Sequence, residues 1–92
     1  MKISVVIPCY NGEATIERTL DSILAQEYND LEVIIADDHS TDRTLELCHK
    51  YDDKLNMIYI TTKPRGMHCP NNTRLDGFNA TSYDSDWITF ID

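Results

Sequence analysis

Residues 2–38, KISVVIPCYNGEATIERTLDSILAQEYNDLEVIIADD, decide the fold. Two apolar runs, Lys2–Pro8 and Leu31–Asp37, frame a stretch of different periodicity. Both runs are rich in Val and Ile and neither alternates with polar residues. That is the pattern of strands covered on both faces. Between them, Ile16, Leu20, Ile23 and Leu24 fall at i, i+4, i+7 and i+8, so residues 13–26 carry one apolar helical face. Strand, helix and strand in this span make a β-α-β unit with parallel strands and a right-handed crossover.

The rest of the chain continues the alternation. STDRTLELCHKY (40–51) reads as a second helix, with Ser40 or Thr41 as its cap and Asp42 in its first turn. NMIYIT (56–61) is a third strand. TKPRGMHCPNN (62–72) is polar and rich in turn residues, a surface loop. TRLDGFNAT (73–81) is a short helix weakened by Gly77. DWITFI (86–91) is the fourth strand. The expected fold is α/β: a Rossmann-like three-layer α/β/α arrangement with a mainly parallel sheet in the order 3-2-1-4. That order sets the first and fourth strands side by side at the switch point, where ligands bind outside the carboxyl ends of the strands. The residues at those ends are Cys9, Tyr10 and Asn11, then Asp37 and Asp38, and across the crevice Asp92.

Composition narrows the function. Ninety-two residues suit one compact unit, with 41% hydrophobic and 26% charged residues. Eight Lys plus Arg stand against sixteen Asp plus Glu, a net charge of −8. Nucleic-acid binders need a basic face, so nucleic acid is a poor partner. An anionic small ligand would need backbone N–H groups, a placed Arg or a divalent cation. The three cysteines, Cys9, Cys48 and Cys69, are odd in number and form no C-x-x-C, which fits free thiols and a cytoplasmic setting. The apolar run at the N-terminus is too short for a membrane span.

Gly12, Gly66 and Gly77 are isolated, so neither G-x-G-x-x-G nor G-x-x-x-x-G-K occurs. The tip of the first strand carries an aromatic ring and an amide instead. A Tyr10 ring can stack on a base, and an Asp38 carboxylate can accept the N–H of a uracil-type ring. Taken singly, Tyr10 also fits a packing residue, and the Asp37-Asp38 pair fits a solvated loop or a cap. Cys48-His49 and His68-Cys69 lack zinc-ligand spacing. Cys9 reads as a packed thiol, and Tyr51 and Tyr59 as core or helix-face residues.

The stretch VVIPCYNGEATIERTLDSILAQEYNDLEVIIADDHSTDRT resembles the opening of family 2 glycosyltransferases, nucleotide-sugar-dependent enzymes of the GT-A fold. The matching pieces are P-x-Y-N after the first strand, S-I-L-x-Q on the first helix and DD-x-S-x-D after the second strand. The likeness resumes at TRLDG, similar to the family's ARNxG, and at WITFID, similar to the strand that leads into its D-x-D. The resemblance implies a nucleotide-binding set of Pro8, Tyr10, Asn11, Asp37, Asp38, Arg74 and Asp92. Tyr10 would pack on the base and Asp38 contact it. Arg74 would face the nucleotide, and Asp92 would sit by the ribose and the metal. It also implies a divalent metal, Mn²⁺ or Mg²⁺, as cofactor, and a nucleotide-diphosphate sugar, a UDP-sugar first, as donor.

On this reading residues 1–92 are one donor-binding subdomain, truncated at the start of the D-x-D. The parent enzyme would transfer sugar to an acceptor hydroxyl, on a glycan or a lipid-linked sugar, with inversion, at the cytoplasmic membrane face. The general base would lie beyond residue 92, so these residues alone would be inactive, and the open sheet would favour self-association. A non-catalytic nucleotide-binding module and a metal-dependent phosphoesterase built on Asp37, Asp38 and His39 fit parts of the same pattern. His39 and Leu75 depart from the family, at its usual Gly or Asn and at the Asn of ARNxG.

Overall fold

A computed structural model describes residues 1–62 and 70–91, the first three of the latter segment as backbone only. Among the described residues seven elements alternate: β1 (Ile3–Cys9), α1 (Ile16–Leu24), β2 (Leu31–Asp37), α2 (Thr44–His49), β3 (Asn56–Thr61), α3 (Pro70–Asn79) and β4 (Trp87–Phe90). All pairings are parallel, in the order β3-β2-β1-β4. This is the three-layer fold and strand order expected from the sequence.

Burial explains why the runs read as they do. The middle strands β1 and β2 are covered on both faces, and Val33, Ile34, Ile35 and Ala36 are fully buried. Strands β3 and β4 form the edges and stay half-exposed, with Trp87 and Phe90 on the surface. On one face Val5, Ile7, Val33 and Ile35 meet Ile16, Leu20 and Ile23 of α1 and Leu47 and Cys48 of α2. On the other face α3 crosses β1 and β2. The alternation of backbone direction along β1 also explains the tolerance of Pro8: the Val6 carbonyl accepts from Ile91 N, so backbone groups of that parity face β4. The N–H that Pro8 lacks is therefore absent from the β4 side, and the β1–β2 ladder is intact through Cys9.

Local details differ from the expectation in three places. Neither Ser40 nor Thr41 caps α2, which starts at Thr44; the Asp42 carboxylate accepts the Thr44 N–H instead, at 2.9 Å. The helix expected from Thr73 begins at Pro70, because proline suits the first helical turn, where an N–H has no partner to lose. The surface-loop expectation also fails at its first residue, since Thr62 is 3% exposed. Residues 63–69, with His68 and Cys69, and Asp92 lie outside the described residues.

At the amino ends of the strands a buried carboxylate ties three segments together. Glu32 is 1% exposed and accepts from Ser4 Oγ at 2.6 Å and from Ser82 N at 2.7 Å. Ser82 Oγ donates to its other oxygen, and Lys2 Nζ lies 3.6 Å away. Burial pushes the Glu32 carboxyl up, but the hydrogen bonds from Ser4 and Ser82 and the Lys2 charge outweigh it and leave it below the ordinary glutamate value.

Candidate nucleotide site at the strand tips

The site is built by two loops that grip each other. After β1 the chain turns through Tyr10, Asn11 and Gly12; after β2 it turns through Asp38 to Arg43. Asn11 takes a φ of 49°, in the left-handed region that Asn adopts more readily than most residues. Its N–H donates to Ser40 Oγ at 2.9 Å, and its side-chain oxygen accepts from Thr41 N at 2.8 Å. Gly12 N donates to Thr44 Oγ1 at 2.8 Å, and Glu13 N to Asp42 Oδ2 at 3.1 Å. The run S-T-D-R-T thus serves to fix the β1–α1 turn. Asp42 carries two backbone N–H bonds and a Thr44 hydroxyl, which outweigh desolvation and hold its carboxyl below the usual range.

The two expected base-contacting residues stand at neighbouring strand ends. Tyr10 follows the last residue of β1 and is 48% exposed. Asp38 follows the last residue of β2, and its N–H donates to Cys9 O at 2.8 Å, carrying the β1–β2 register one step past the strands. Pro8 pairs with Ala36 inside the sheet. Asp37 is buried opposite Cys9; its Oδ2 accepts the Ser40 N–H at 3.0 Å, and its Oδ1 accepts no hydrogen bond among the described residues. Arg74 lies on α3, three residues before Gly77, which rests against Val6 and Ala36. One helical turn from that contact puts Arg74 on the strand-tip side, since α3 returns toward the start of β4.

Thr62 and the clamp residues Ser40, Thr41, Asp42 and Thr44 were not expected as site builders. Thr62 Oγ1 donates to Asp38 Oδ1 at 2.9 Å, and its N–H donates to Asp37 O at 2.9 Å. A signal was present for the clamp: a Ser/Thr/Asp run after one strand tip, opposite an Asn-Gly turn after the next. Cys9, at the same tip, donates to Ile7 O at 3.5 Å, and burial pushes its thiol up to about 12. Cys48 is buried in the core while His49 points outward to Asp52 at 2.8 Å, so the two do not converge. Among the described residues no three His, Cys, Asp or Glu side chains gather in a way that could hold a metal ion. Also among them, no helix is long and apolar enough to cross a membrane.

The sequence and the parallel-sheet fold that carries these tips have counterparts in known proteins. The glycosyl transferase family 2 model matches residues 4–92. The chain belongs to that family. It is 33% identical over 92 residues to the glycosyltransferase GlyA of Streptococcus pneumoniae serotype 4, covering 99% of this chain and 12% of that protein. It is 34% identical over 96 residues to the poly(ribitol-phosphate) β-N-acetylglucosaminyltransferase TarS of Staphylococcus aureus, covering 100% of this chain and 16% of TarS. The chain therefore spans less than a fifth of the length of either relative.

The crystal structure of TarS residues 1–349 in complex with UDP-GlcNAc superposes with a TM-score of 0.84 at 32% identity, over 100% of this chain and 26% of that one. Glucosyl-3-phosphoglycerate synthase from Mycobacterium tuberculosis, crystallised with Mn²⁺, UDP and glucosyl-3-phosphoglycerate, superposes with a TM-score of 0.72 at 29% identity, over 99% and 33%. The family assignment and these neighbours agree with the GT-A fold of the sheet.

Proposed function

We propose that residues 1–92 form the donor-binding part of an inverting glycosyltransferase and hold a nucleotide-diphosphate sugar, a UDP-sugar, at the tips of β1, β2 and β4. Tyr10 stacks on the base, Asp38 accepts its ring N–H, Arg74 faces the nucleotide, and Pro8, Asn11 and Asp37 shape the pocket floor. The observation that carries this reading is the bond from Asp38 N to Cys9 O, which sets the Tyr10 and Asp38 tips side by side. The UDP-GlcNAc and UDP complexes of TarS support the donor class.

A divalent cation fits the chemistry of this end of the sheet. Asp37 supplies an oxygen donor of the kind Mg²⁺ and Mn²⁺ take, since its buried Oδ1 accepts no hydrogen bond among the described residues. Asp92, outside the described residues, is the proposed holder of the metal. When bound, such a cation would offset the diphosphate charge as the nucleotide departs. The remaining steps fall to the protein: the ring and carboxylate orient the base, and a general base outside this segment takes the acceptor proton. We propose accordingly that the 92 residues bind donor without transferring sugar, as their small share of the relatives' length supports.

The test is calorimetric titration with UDP, with and without Mn²⁺. Saturable binding that strengthens with Mn²⁺ is expected, and both Tyr10→Ala and Asp38→Ala should weaken it at least about fivefold, the lower end for a lost base-stacking or charged hydrogen-bond partner. Unchanged affinity in both variants rejects the pocket.

The half-exposed edge strand β4 supports self-association as a further part of this reading. It presents Trp87, 62% exposed, and Phe90, 43% exposed. Beside it an apolar groove of about 350 Å³ runs between Ile3, Val5, Ile23, Thr89 and Ile91. Apolar edges of this kind pair with other chains. Sedimentation velocity should show mass growing with concentration, and a single monomer boundary at all concentrations refutes it.

A further inference from the structure

We infer that Thr62 is a positioning residue for Asp38, fixing the carboxylate that selects the nucleobase; the inference rests on the donor-site reading above. Thr62 sits just past the end of β3 and is 3% exposed. Its backbone is held from both sides, by the last residue of β2 and by the loop that follows it. Its N–H donates to Asp37 O at 2.9 Å, and its carbonyl lies 3.0 Å from His39 Nε2. A carbonyl only accepts, so His39 carries a proton on Nε2 in this contact. His39 makes the contact from a left-handed φ of 59°. The residue that departs from the family's usual Gly or Asn therefore contributes an added clamp on Thr62.

With the backbone pinned, a β-branched side chain has little freedom at χ1. The Thr62 hydroxyl points at Asp38, and Oγ1 to Oδ1 is 2.9 Å. A carboxylate only accepts, so the hydroxyl is the donor. Fixing one carboxylate oxygen sets the direction of the other. A carboxylate held in one direction before the ligand arrives loses less freedom on binding. It also discriminates. Neutral uracil offers a ring N–H at N3, whereas cytosine has a lone pair there that a carboxylate repels. Thr62 thus acts on base choice through Asp38, without touching the nucleotide.

The test compares UDP and CDP by calorimetry for the wild-type chain and for Asp38→Asn, Thr62→Val and Thr62→Ser. Wild type should prefer UDP, and Asp38→Asn should erase the preference. Thr62→Val keeps the shape and removes the donor, so it should narrow the UDP:CDP ratio about fivefold to tenfold, the worth of one typical hydrogen bond. Thr62→Ser should restore it. General damage to the fold lowers both affinities together and leaves the ratio alone. If Val does not fold at this position, Thr62→Ala removes the same hydroxyl and is read by the same ratio. A full UDP preference in the Thr62 variants, with the preference lost in Asp38→Asn, overturns the role of Thr62 and leaves the donor site standing. Equal binding of UDP and CDP by wild type overturns the donor-site reading, and the inference with it.

Discussion

Gly77 of α3 lies so close to Val6 of β1 that a β-carbon added to it would sit 2.4 Å from Val6 Cγ1 and 3.3 Å from Ala36 Cβ. The glycine that weakens the helix in isolation is what lets the helix settle onto the sheet. Gly77→Ala raises helix propensity by about 1 kcal/mol but forces Val6 or the helix to move. Overpacking of this kind costs roughly 1–3 kcal/mol, so the net effect is a loss of stability. Val6→Ala in the same chain opens the space, and the double variant should lose less than the sum of the two single losses. Chemical denaturation of the four chains measures this coupling, and strict additivity would contradict the contact.

The Glu32 cluster gives a pH dependence with a definite sign. Its folded-state carboxyl lies below the ordinary value of 4.5, so its contribution is present in full above the unfolded value and is lost as pH falls through the folded one. Stability should be flat in this respect above about pH 5.5 and decline from about pH 4.5 downward. Glu32→Gln replaces an acceptor oxygen with a donor facing Ser4 or Ser82. It should cost roughly 1–3 kcal/mol at neutral pH and flatten the acid limb. Thermal melts of both chains between pH 3 and pH 7 decide it: parallel curves would remove Glu32 from the account.

Cys9 and Cys48 should behave as inert core thiols. Burial raises both to about 12, so almost none of either is thiolate at pH 8. In the native state a disulfide reagent such as dithionitrobenzoate should leave both unmodified over minutes, and unfolding in guanidinium should expose them. Peptide mapping assigns each adduct to its cysteine. Rapid native labelling of Cys9 would show a reactive thiol at the site.

The strand tips were legible because β1 and β2 are buried on both faces, and such strands read as unbroken apolar runs with nothing to confuse them. The order of the elements then fixed which tips are neighbours. The contribution of Thr62 was hidden because it begins a stretch whose composition is that of a surface loop. Its burial comes from three bonds to Asp37, Asp38 and His39, all more than twenty residues away in sequence. Glu32 was hidden for a related reason. A charged residue inside an apolar run looks like an edge feature until Ser4 and Ser82 are seen to surround it. The start of α2 was misplaced because Ser40 and Thr41 are good caps in isolation, and here they are spent on Asn11.

Asn11 joins two demands that separate variants can divide. It must hold a positive φ, and its side-chain oxygen must accept the Thr41 N–H. Asn11→Gly keeps the conformation and loses the bond. Asn11→Ala loses the bond and adds about 1–2 kcal/mol of left-handed strain. If the grip between the two loops serves to set Tyr10 beside Asp38, both variants should weaken UDP binding, because the β1–α1 turn is then free to shift. Only Asn11→Ala should also lower the melting temperature strongly, by about 4–8 °C per kcal/mol for a chain of this size. UDP affinity in Asn11→Gly equal to wild type would show that the turn is fixed by Gly12 and Glu13 alone, through Thr44 and Asp42.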